Sequence, residues 1–497
     1  MGFNIGSVEL DYKTIRLSPY HFNSEDNIFT VIIGKNGTGK SRLLSTLTNA
    51  FCTLHVGNKL LKREISEFAV INNKDNSRSI NYVANGHERN IYIHGRSIQL
   101  NDLFTDNSID ALMPSKVICS STSPFDKFPL ESDYFSKKRG KFDDNFYSYF
   151  GLKDNNRNQS LKNLFEKIIY SSTQGKSRSE KSAFVNILDF LNYQPRISAV
   201  FRLRHNIDKL IYELENNSIY DFIRYISKLN ISRYQDAEDY DNVYDSLKNA
   251  LYYVNDHLKK TNESDRNIYI NIDYRNDSMS VSEEFFRITS VLFEIGVMVI
   301  KDIALYPKND HSKYPYDWDG FISLNDASSG QQCILLSTLG IASSIIDNAL
   351  ILIDEPEISL HPEWQEKYIE LLMRVFKNYR GCHFIIATHS PQIISKLSAH
   401  NCYISQIEKQ ELYSSNEYIE KSADYQLATL FNSPGNDNEF LKRIAVNILT
   451  RISSGKKFSP QNYEEIEILE AQYLNLTDAD PVKELIELIF ECRRESK

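Results

Sequence analysis

The feature that most restricts what this chain can fold into is the octet Gly34-Lys35-Asn36-Gly37-Thr38-Gly39-Lys40-Ser41. The apolar run Phe29-Thr30-Val31-Ile32-Ile33 precedes it and Leu43-Leu44-Ser45-Thr46-Leu47 follows it. The order reads as a buried strand, a glycine loop and a helix. The glycines let backbone N–H groups curl around an anionic phosphate, and the helix points its positive end at the same place. Lys40 adds a mobile charge for β and γ phosphates, and Ser41 is placed to ligate Mg²⁺. Gly34, Asn36, Gly37, Thr38, Gly39 and Arg42 complete the candidate contacts. A glycine turn before a surface helix fits the same octet, so the rest of the chain must decide.

At 497 residues the chain is long enough for two or three lobes. Its net charge of -9 argues against a surface that grips nucleic acid as a whole and leaves room only for a local basic patch. The six cysteines are scattered, with no CxxC pair, and read as reduced residues of a cytoplasmic protein. No apolar run approaches the roughly 18 residues that a membrane helix needs.

Alternating segments before the octet, such as Ser7-Val8-Glu9-Leu10-Asp11-Tyr12, suggest an antiparallel edge feeding the buried strand. Strand signals follow at Asn90-Ile91-Tyr92-Ile93-His94 and Lys116-Val117-Ile118-Cys119-Ser120. The latter stops in Ser121-Thr122-Ser123-Pro124, which reads as a site-facing edge. Residues 137–265 read as a helical insertion, from apolar residues at helical spacing such as Leu161, Leu164 and Ile168, and Ile207, Leu210, Ile211 and Leu214. Heptads are not sustained, so a compact lobe is expected rather than a coiled-coil arm.

The second chemical block starts at Ala327-Ser328-Ser329-Gly330-Gln331, another anion-binding cap or an ordinary N-cap ahead of an apolar helix. Ala349-Leu350-Ile351-Leu352-Ile353-Asp354-Glu355-Pro356 is a buried strand ending in two acids. That pair is costly to desolvate unless a cation or a reaction uses it. Asp354 suits a Mg²⁺ shell and Glu355 suits general-base work on a water. Leu360-His361-Pro362 follows, and then Phe384-Ile385-Ile386-Ala387-Thr388-His389-Ser390-Pro391, a third apolar strand, whose terminal His389 can reach a γ phosphate or serve as a structural hydrogen-bonding group.

These five motifs, in this order, resemble the ABC-type ATPase heads of SMC, RecF and OLD-family proteins. The resemblance implies an α/β P-loop NTPase head, a mixed sheet with an antiparallel edge, carrying a helical insertion and a C-terminal helical appendix. It implies lobes at 1–136 and 266–410 around the insertion at 137–265, with the appendix at 411–497. It places the Walker A loop on residues 34–41 and the signature on Ser328, Ser329, Gly330 and Gln331, where Ala327 and Ser329 depart from the commonest form. Walker B falls on residues 350–354, the catalytic glutamate on Glu355 and the switch histidine on His389. Gln99 is the candidate Q-loop glutamine and third metal contact, or a plain surface residue. ATP and Mg²⁺ are the implied ligands. In such heads the signature of one copy completes the ATP site of another, which implies a homo-oligomer.

Within that class, transporter heads lack this insertion, and no hinge-bearing coil supports a structural-maintenance role. Ser121-Thr122-Ser123-Pro124-Phe125-Asp126-Lys127-Phe128-Pro129 and the tail segment Ala423-Asp424-Tyr425-Gln426-Leu427 resemble Septu-type anti-phage ATPases (PtuA), including forms encoded beside retrons. That resemblance implies a separate HNH nuclease (PtuB-like) as partner, with retron RNA/DNA and a reverse transcriptase as further partners. A RecF/SMC-type DNA-repair ATPase is the rival. A Toprim nuclease in the tail is not expected, because Asp480 precedes Pro481 and reads as a helix N-cap. The tail offers amphipathic stripes at Phe440, Leu441, Ile444, Ile448 and Ile452, at Ile466, Leu469 and Tyr473, and at Leu485, Ile486, Leu488 and Ile489. They form a packed cap or a docking platform. For nucleic acid, the candidates are Lys137-Lys138-Arg139-Gly140-Lys141 and Arg196, Arg202 and Arg204.

Overall fold

The computed structural model describes residues 2–19, 25–60, 79–94, 97–100, 112–130, 146–153, 178–218, 240–261, 267–294, 297–308, 321–397, 400–419 and 421–495, with isolated positions between 160 and 225. The chain divides into two compact units, Met1–Gly151 with Ile345–Lys497, and Leu152–Ser344. In the first, β1 (Asn4–Leu10) and β2 (Lys13–Arg16) form a hairpin, and β3 (Ile28–Ile33) leads through the glycine loop into helix α1 (Lys40–Leu60). Strands β4 (Ser79–Ala84), β5 (His87–His94) and β6 (Ser97–Leu100) complete an antiparallel sheet in the order β2-β1-β4-β5-β6. Then come β7 (Val117–Ser121) and β8 (Tyr147–Phe150).

The second unit corrects the expectation of a purely helical insertion. Strands β9 (Tyr193–Leu203), β10 (Asn267–Asp273), β11 (Ser278–Met279), β12 (Met298–Pro307) and β13 (Ile322–Ser323) form an antiparallel sheet in the order β11-β10-β9-β12-β13. Helices Arg178–Phe190, Ile207–Asn216, Tyr240–Thr261 and Glu283–Glu294 belong to the same unit. The middle strand β9 does alternate, with Gln194, Arg196 and Arg202 outside the core between the buried Tyr193, Ile197, Phe201 and Leu203, although its centre from Ile197 to Phe201 is buried throughout. That alternation was the available signal, and the sequence reading assigned its arginines, Arg196 and Arg202, to a basic patch instead. The unit also takes in residues 266–344, so the signature segment lies here and not with the other motifs.

Returning to the first unit, β14 (Leu350–Asp354), β15 (His383–Ala387), β16 (Cys402–Gln406) and β17 (Glu411–Ser414) close a seven-stranded sheet in the order β17-β16-β3-β15-β14-β7-β8. All its neighbours pair in parallel except β16 and β17. Every residue of β3, β7, β14 and β15 is buried, as expected of parallel strands covered on both faces. This sheet, with the antiparallel one, is the mixed α/β architecture expected.

A buried histidine ties the two sheets together. The Ile5 amide donates to His383 Nδ1 at 3.0 Å, and Nε2 lies 3.0 Å from Thr30 Oγ1, whose hydroxyl donates to the Leu17 carbonyl at 2.5 Å. Since Nδ1 accepts, the proton sits on Nε2 and the ring is neutral. Burial holds its pKa down to about 3.

The tail folds as helices Ala423–Thr429, Glu439–Ser453, Pro460–Gln472 and Pro481–Glu495 around a core that includes Leu441, Ile444, Ile448, Ile466, Leu469, Ile486 and Ile489. Leu488, expected in a stripe, is 47% exposed. Asp480 is fully buried, accepting from the amides of Val482 and Asp437, which suits a helix cap and not a metal ligand. Among the described residues no helix is long and apolar enough to cross a membrane, and no group of three or more His, Cys, Asp and Glu is arranged to hold a metal ion. Of the basic candidates, Lys137 to Lys141 lie outside the described residues, and Arg196 packs over the Tyr306 ring at 3.9 Å.

His383→Leu should lower unfolding stability by about 2 kcal/mol or more in urea titrations, by orphaning the Ile5 amide. The unfolded imidazole protonates near pH 6.5, so the stability this histidine contributes is full above that pH and is lost as pH falls towards 3. The wild-type midpoint should therefore drop between pH 7.5 and pH 5 by more than the variant's. Equal drops would contradict the assignment.

Candidate functional site

Parallel register decides what meets at the carboxyl edge of the central sheet. Asp354 pairs with Ala387 on one side and Ser121 on the other, and Ala387 pairs with Ile32. The residues that follow β3, β15, β14 and β7 are therefore delivered to one edge, where open α/β sheets bind ligands. These are residues 34–41, His389, Glu355 and Thr122.

The loop curls as its glycines allow. Gly37 and Gly39 take φ values of 81° and 102°, a region L side chains rarely adopt. Gly34 is required for space, since a Cβ there would lie 2.8 Å from Thr38 Oγ1 and 3.0 Å from the Glu408 carboxylate. Lys40 folds back into its own loop, with Nζ donating to the carbonyls of Gly34 at 2.7 Å and Lys35 at 3.3 Å. Its side chain is buried, and desolvation brings its pKa down to about 8 despite the nearby acids Glu408, Glu355 and Asp354. An ammonium held this way at a glycine loop and a helix N-terminus suits an anionic group.

Lys40 Nζ also lies 3.4 Å from His389 Nδ1. Burial, helped by the Lys40 charge, lowers the His389 pKa to about 4, so the ring is neutral. The ammonium can only donate, so Nδ1 accepts and the ring proton sits on Nε2. That N–H is 3.8 Å from Glu355 Oε1. Glu355 itself sits at φ 49°, its amide bonded to the Ala387 carbonyl at 2.9 Å and its carbonyl accepting the Thr122 hydroxyl at 2.7 Å. A non-glycine residue in this left-handed region costs about 1 kcal/mol or more and persists where its neighbours hold it, as they do here.

Ser41 Oγ donates to Asp354 Oδ1 at 3.1 Å. Asp354 is 2% exposed, and burial pushes its pKa up to about 7, with the acids Glu355, Asp126 and Glu357 adding to the rise. A hydroxyl beside a buried carboxylate that lacks a cation of its own is a donor set for a hard divalent ion.

The sequence reading missed three acids at this edge. Glu357 is half-buried, and its Oε1 accepts the His389 amide at 2.6 Å, so it fixes where the histidine leaves β15. It stands two residues after Glu355, and that spacing was the available signal. Asp126 takes the Tyr149 hydroxyl at 2.6 Å and the Phe128 amide at 3.0 Å, bracing the loop that carries Thr122. Glu408 contacts the glycine loop from the β16–β17 turn, with nothing in its sequence context to mark it. Of the expected contacts, Arg42 pairs with Asp11, and Asn36 is exposed. Gln99 lies on β6, the outer strand of the antiparallel sheet, opposite Tyr92, and is not on a strand that ends at this edge. Ser328 and Gln331 form a capping box at the start of helix Ser329–Ile334, where Ser328 Oγ accepts the Gln331 amide at 3.3 Å and Gln331 Oε1 the Ser328 amide at 3.0 Å. With Ser329 and Gly330 they belong to the second unit.

The family described as AAA ATPase domain matches residues 9–394. The chain is 22% identical over 408 residues to the Retron Vc95 probable ATPase of Vibrio cholerae serotype O1 biovar El Tor, which covers 78% of this chain and 70% of that protein. A stretch of 55 residues is 40% identical to the Retron Ec83 probable ATPase of Escherichia coli, but spans only 10% of that protein's length. Among solved structures, the Smc head domain from Pyrococcus furiosus bound to the C-terminal domain of ScpA aligns with a TM-score of 0.30 at 13% identity, over 84% of this chain and 97% of that one. An ATP-binding cassette of an ABC transporter in its ADP conformation aligns with a TM-score of 0.25 at 13% identity, over 82% and 89%.

The crowding of acids around Asp354 implies that the edge stores instability. Asp354→Asn keeps an oxygen for the Ser41 hydroxyl and removes a buried charge. It should raise the melting temperature by about 2–4 °C in a chelator at pH 8. A lower melting temperature would contradict this reading.

Proposed function

This chain belongs to the AAA ATPase domain family, and from that premise we propose that it binds ATP on residues 34–41 and hydrolyses it between two copies of itself, as the regulatory ATPase of an anti-phage defence complex. The observation that carries the first part is Lys40. Its ammonium rests on the Gly34 and Lys35 carbonyls and touches His389, so one buried cation links the phosphate loop to the end of β15.

In this reading the loop amides and Lys40 take the β and γ phosphates. Ser41 and Asp354 would hold Mg²⁺, which when bound supplies charge neutralisation across the phosphate oxygens. Asp354, raised by burial, gives up its proton to a cation readily at neutral pH. Glu355 takes the proton of the attacking water. His389, neutral with its N–H on Nε2, donates towards the γ phosphate and reports its presence to the backbone through the Glu357 bond.

The loop supplies one wall of a triphosphate site. Ser328, Ser329, Gly330 and Gln331 are the second anion cap that the chain contains, and we assign them to the site of a neighbouring copy. ATP then holds two copies together and hydrolysis releases them. The defence role is supported by the retron ATPase names of two relatives and by the resemblance of residues 121–129 to Septu-type ATPases. A separate HNH nuclease is the partner this reading names. Retron RNA/DNA and a reverse transcriptase accompany it if the locus encodes a retron.

Glu355→Gln should cut ATP turnover by about a hundredfold or more while keeping nucleotide bound, and light scattering should show the ATP-bound assembly persisting. Unchanged turnover would remove Glu355 from the general-base role. Lys40→Ala should abolish nucleotide binding in equilibrium titrations, and retained affinity would contradict the loop assignment.

A further inference from the structure

Beside the phosphate loop stands an acid that the reading above does not use. Glu408 follows β16, at the turn into β17, where the Ile407 amide extends the β16–β3 ladder to the Ile33 carbonyl at 3.2 Å, one residue before the loop. Glu408 Oε1 accepts the Lys35 amide at 2.5 Å. Its Oε2 is buried with no hydrogen-bond partner among the described residues, and it lies over Gly34, where a Cβ would come within 3.0 Å of it. The turn is held from both sides. Gln410 accepts the Thr14 amide at 2.9 Å, Gln406 Nε2 donates to the Leu430 carbonyl at 2.6 Å, and the Tyr413 hydroxyl donates to Gln406 Oε1 at 3.3 Å.

We propose that Glu408 is a positioning residue for the phosphate loop: from a braced hairpin it pins the loop's first peptide and so pre-forms the cradle before nucleotide arrives. Residues 35–37 are exposed and two of the loop's glycines have positive φ, so the loop has ample freedom to lose on binding. The carbonyls that hold Lys40 belong to Gly34 and Lys35, the two residues Glu408 clamps. A loop fixed in advance loses less entropy when the ligand binds, and that difference appears as affinity. An unpartnered carboxylate oxygen beside a phosphate site would be a liability if it served only packing. Here Gly34 leaves room for it, and Glu408 is the acid that acts most strongly on the Lys40 ammonium. This inference rests on the ATP reading of the loop.

The test compares Glu408→Ala and Glu408→Gln with the wild-type chain by ATP titration, steady-state turnover, melting temperature and hydrogen exchange of residues 34–40. Ala removes the acceptor and should weaken ATP binding by about tenfold. KM should rise in step with kcat held, and exchange at the Lys35 amide should speed up while the melting temperature stays put. Gln keeps an acceptor oxygen and should bring affinity back to within about threefold of wild type. Wild-type affinity in the Ala variant overturns the proposal, as does a Gln variant no tighter than Ala, or a loss that tracks a falling melting temperature. A wild-type chain that binds no ATP overturns the underlying reading, and this one with it.

Discussion

An ammonium group buried in its own loop is the interaction on which the carboxyl edge depends. Lys40 is held by two backbone carbonyls and set against a neutral histidine, and four acids, Glu408, Glu355, Asp354 and Glu357, oppose the desolvation that lowers its pKa to about 8. Remove it and, among the described residues, no lysine or arginine is left within the carboxylate cluster of Asp354, Glu355 and Glu357. Asp354, Glu355 and Glu357 stand within five residues, and the first and third of them are raised by burial. Such an arrangement is unstable in isolation and balanced once a divalent ion and an anionic ligand share it. On the proposed reading the site is built for occupancy, at some expense to the stability of the empty protein.

How much of this could be read from the chain alone depends on whether the signal was local. The glycine loop, the strand ending in Asp354 and the strand leading to His389 each carry their chemistry inside ten residues. The structure gathers Lys40, Ser41, Asp354, Glu355 and His389 at one edge because β3, β15 and β14 are parallel neighbours. Strand β9 was legible in its alternation from Tyr193 to Leu203 and was missed because Arg196 and Arg202 were read as part of a basic patch. Glu408, by contrast, was illegible. It reaches Lys35 across 373 positions of sequence, through a pairing of β16 with β3 that no local pattern reveals. Glu357 was within reach, as a third acid beside two already noticed, but its partner is a backbone amide at position 389.

The division of the chain into two units sharpens the question of how a complete site forms. The phosphate loop, the acids and His389 lie in one unit, and Ser328 to Gln331 lie in the other. The capping box shows why those residues begin a helix: Ser328 and Gln331 satisfy each other's backbone amides. In the proposed function a serine-rich helix start and a glycine loop would each take part of a triphosphate. On the proposed reading the helix start comes from another copy, and ATP would then be a switch for assembly, since the ligand favours the joined state by its differential affinity.

Mixing two inactive variants tests that account most directly. Lys40→Ala lacks the loop's charge and Ser328→Arg blocks the helix start, so each alone should be inactive in ATP hydrolysis. If the site is shared between copies, an equimolar mixture should recover about a quarter of wild-type activity. Half of the random pairs are then mixed, and one of the two sites in each is intact. Full activity of Ser328→Arg alone, or no recovery in mixtures shown to contain mixed assemblies, would contradict it.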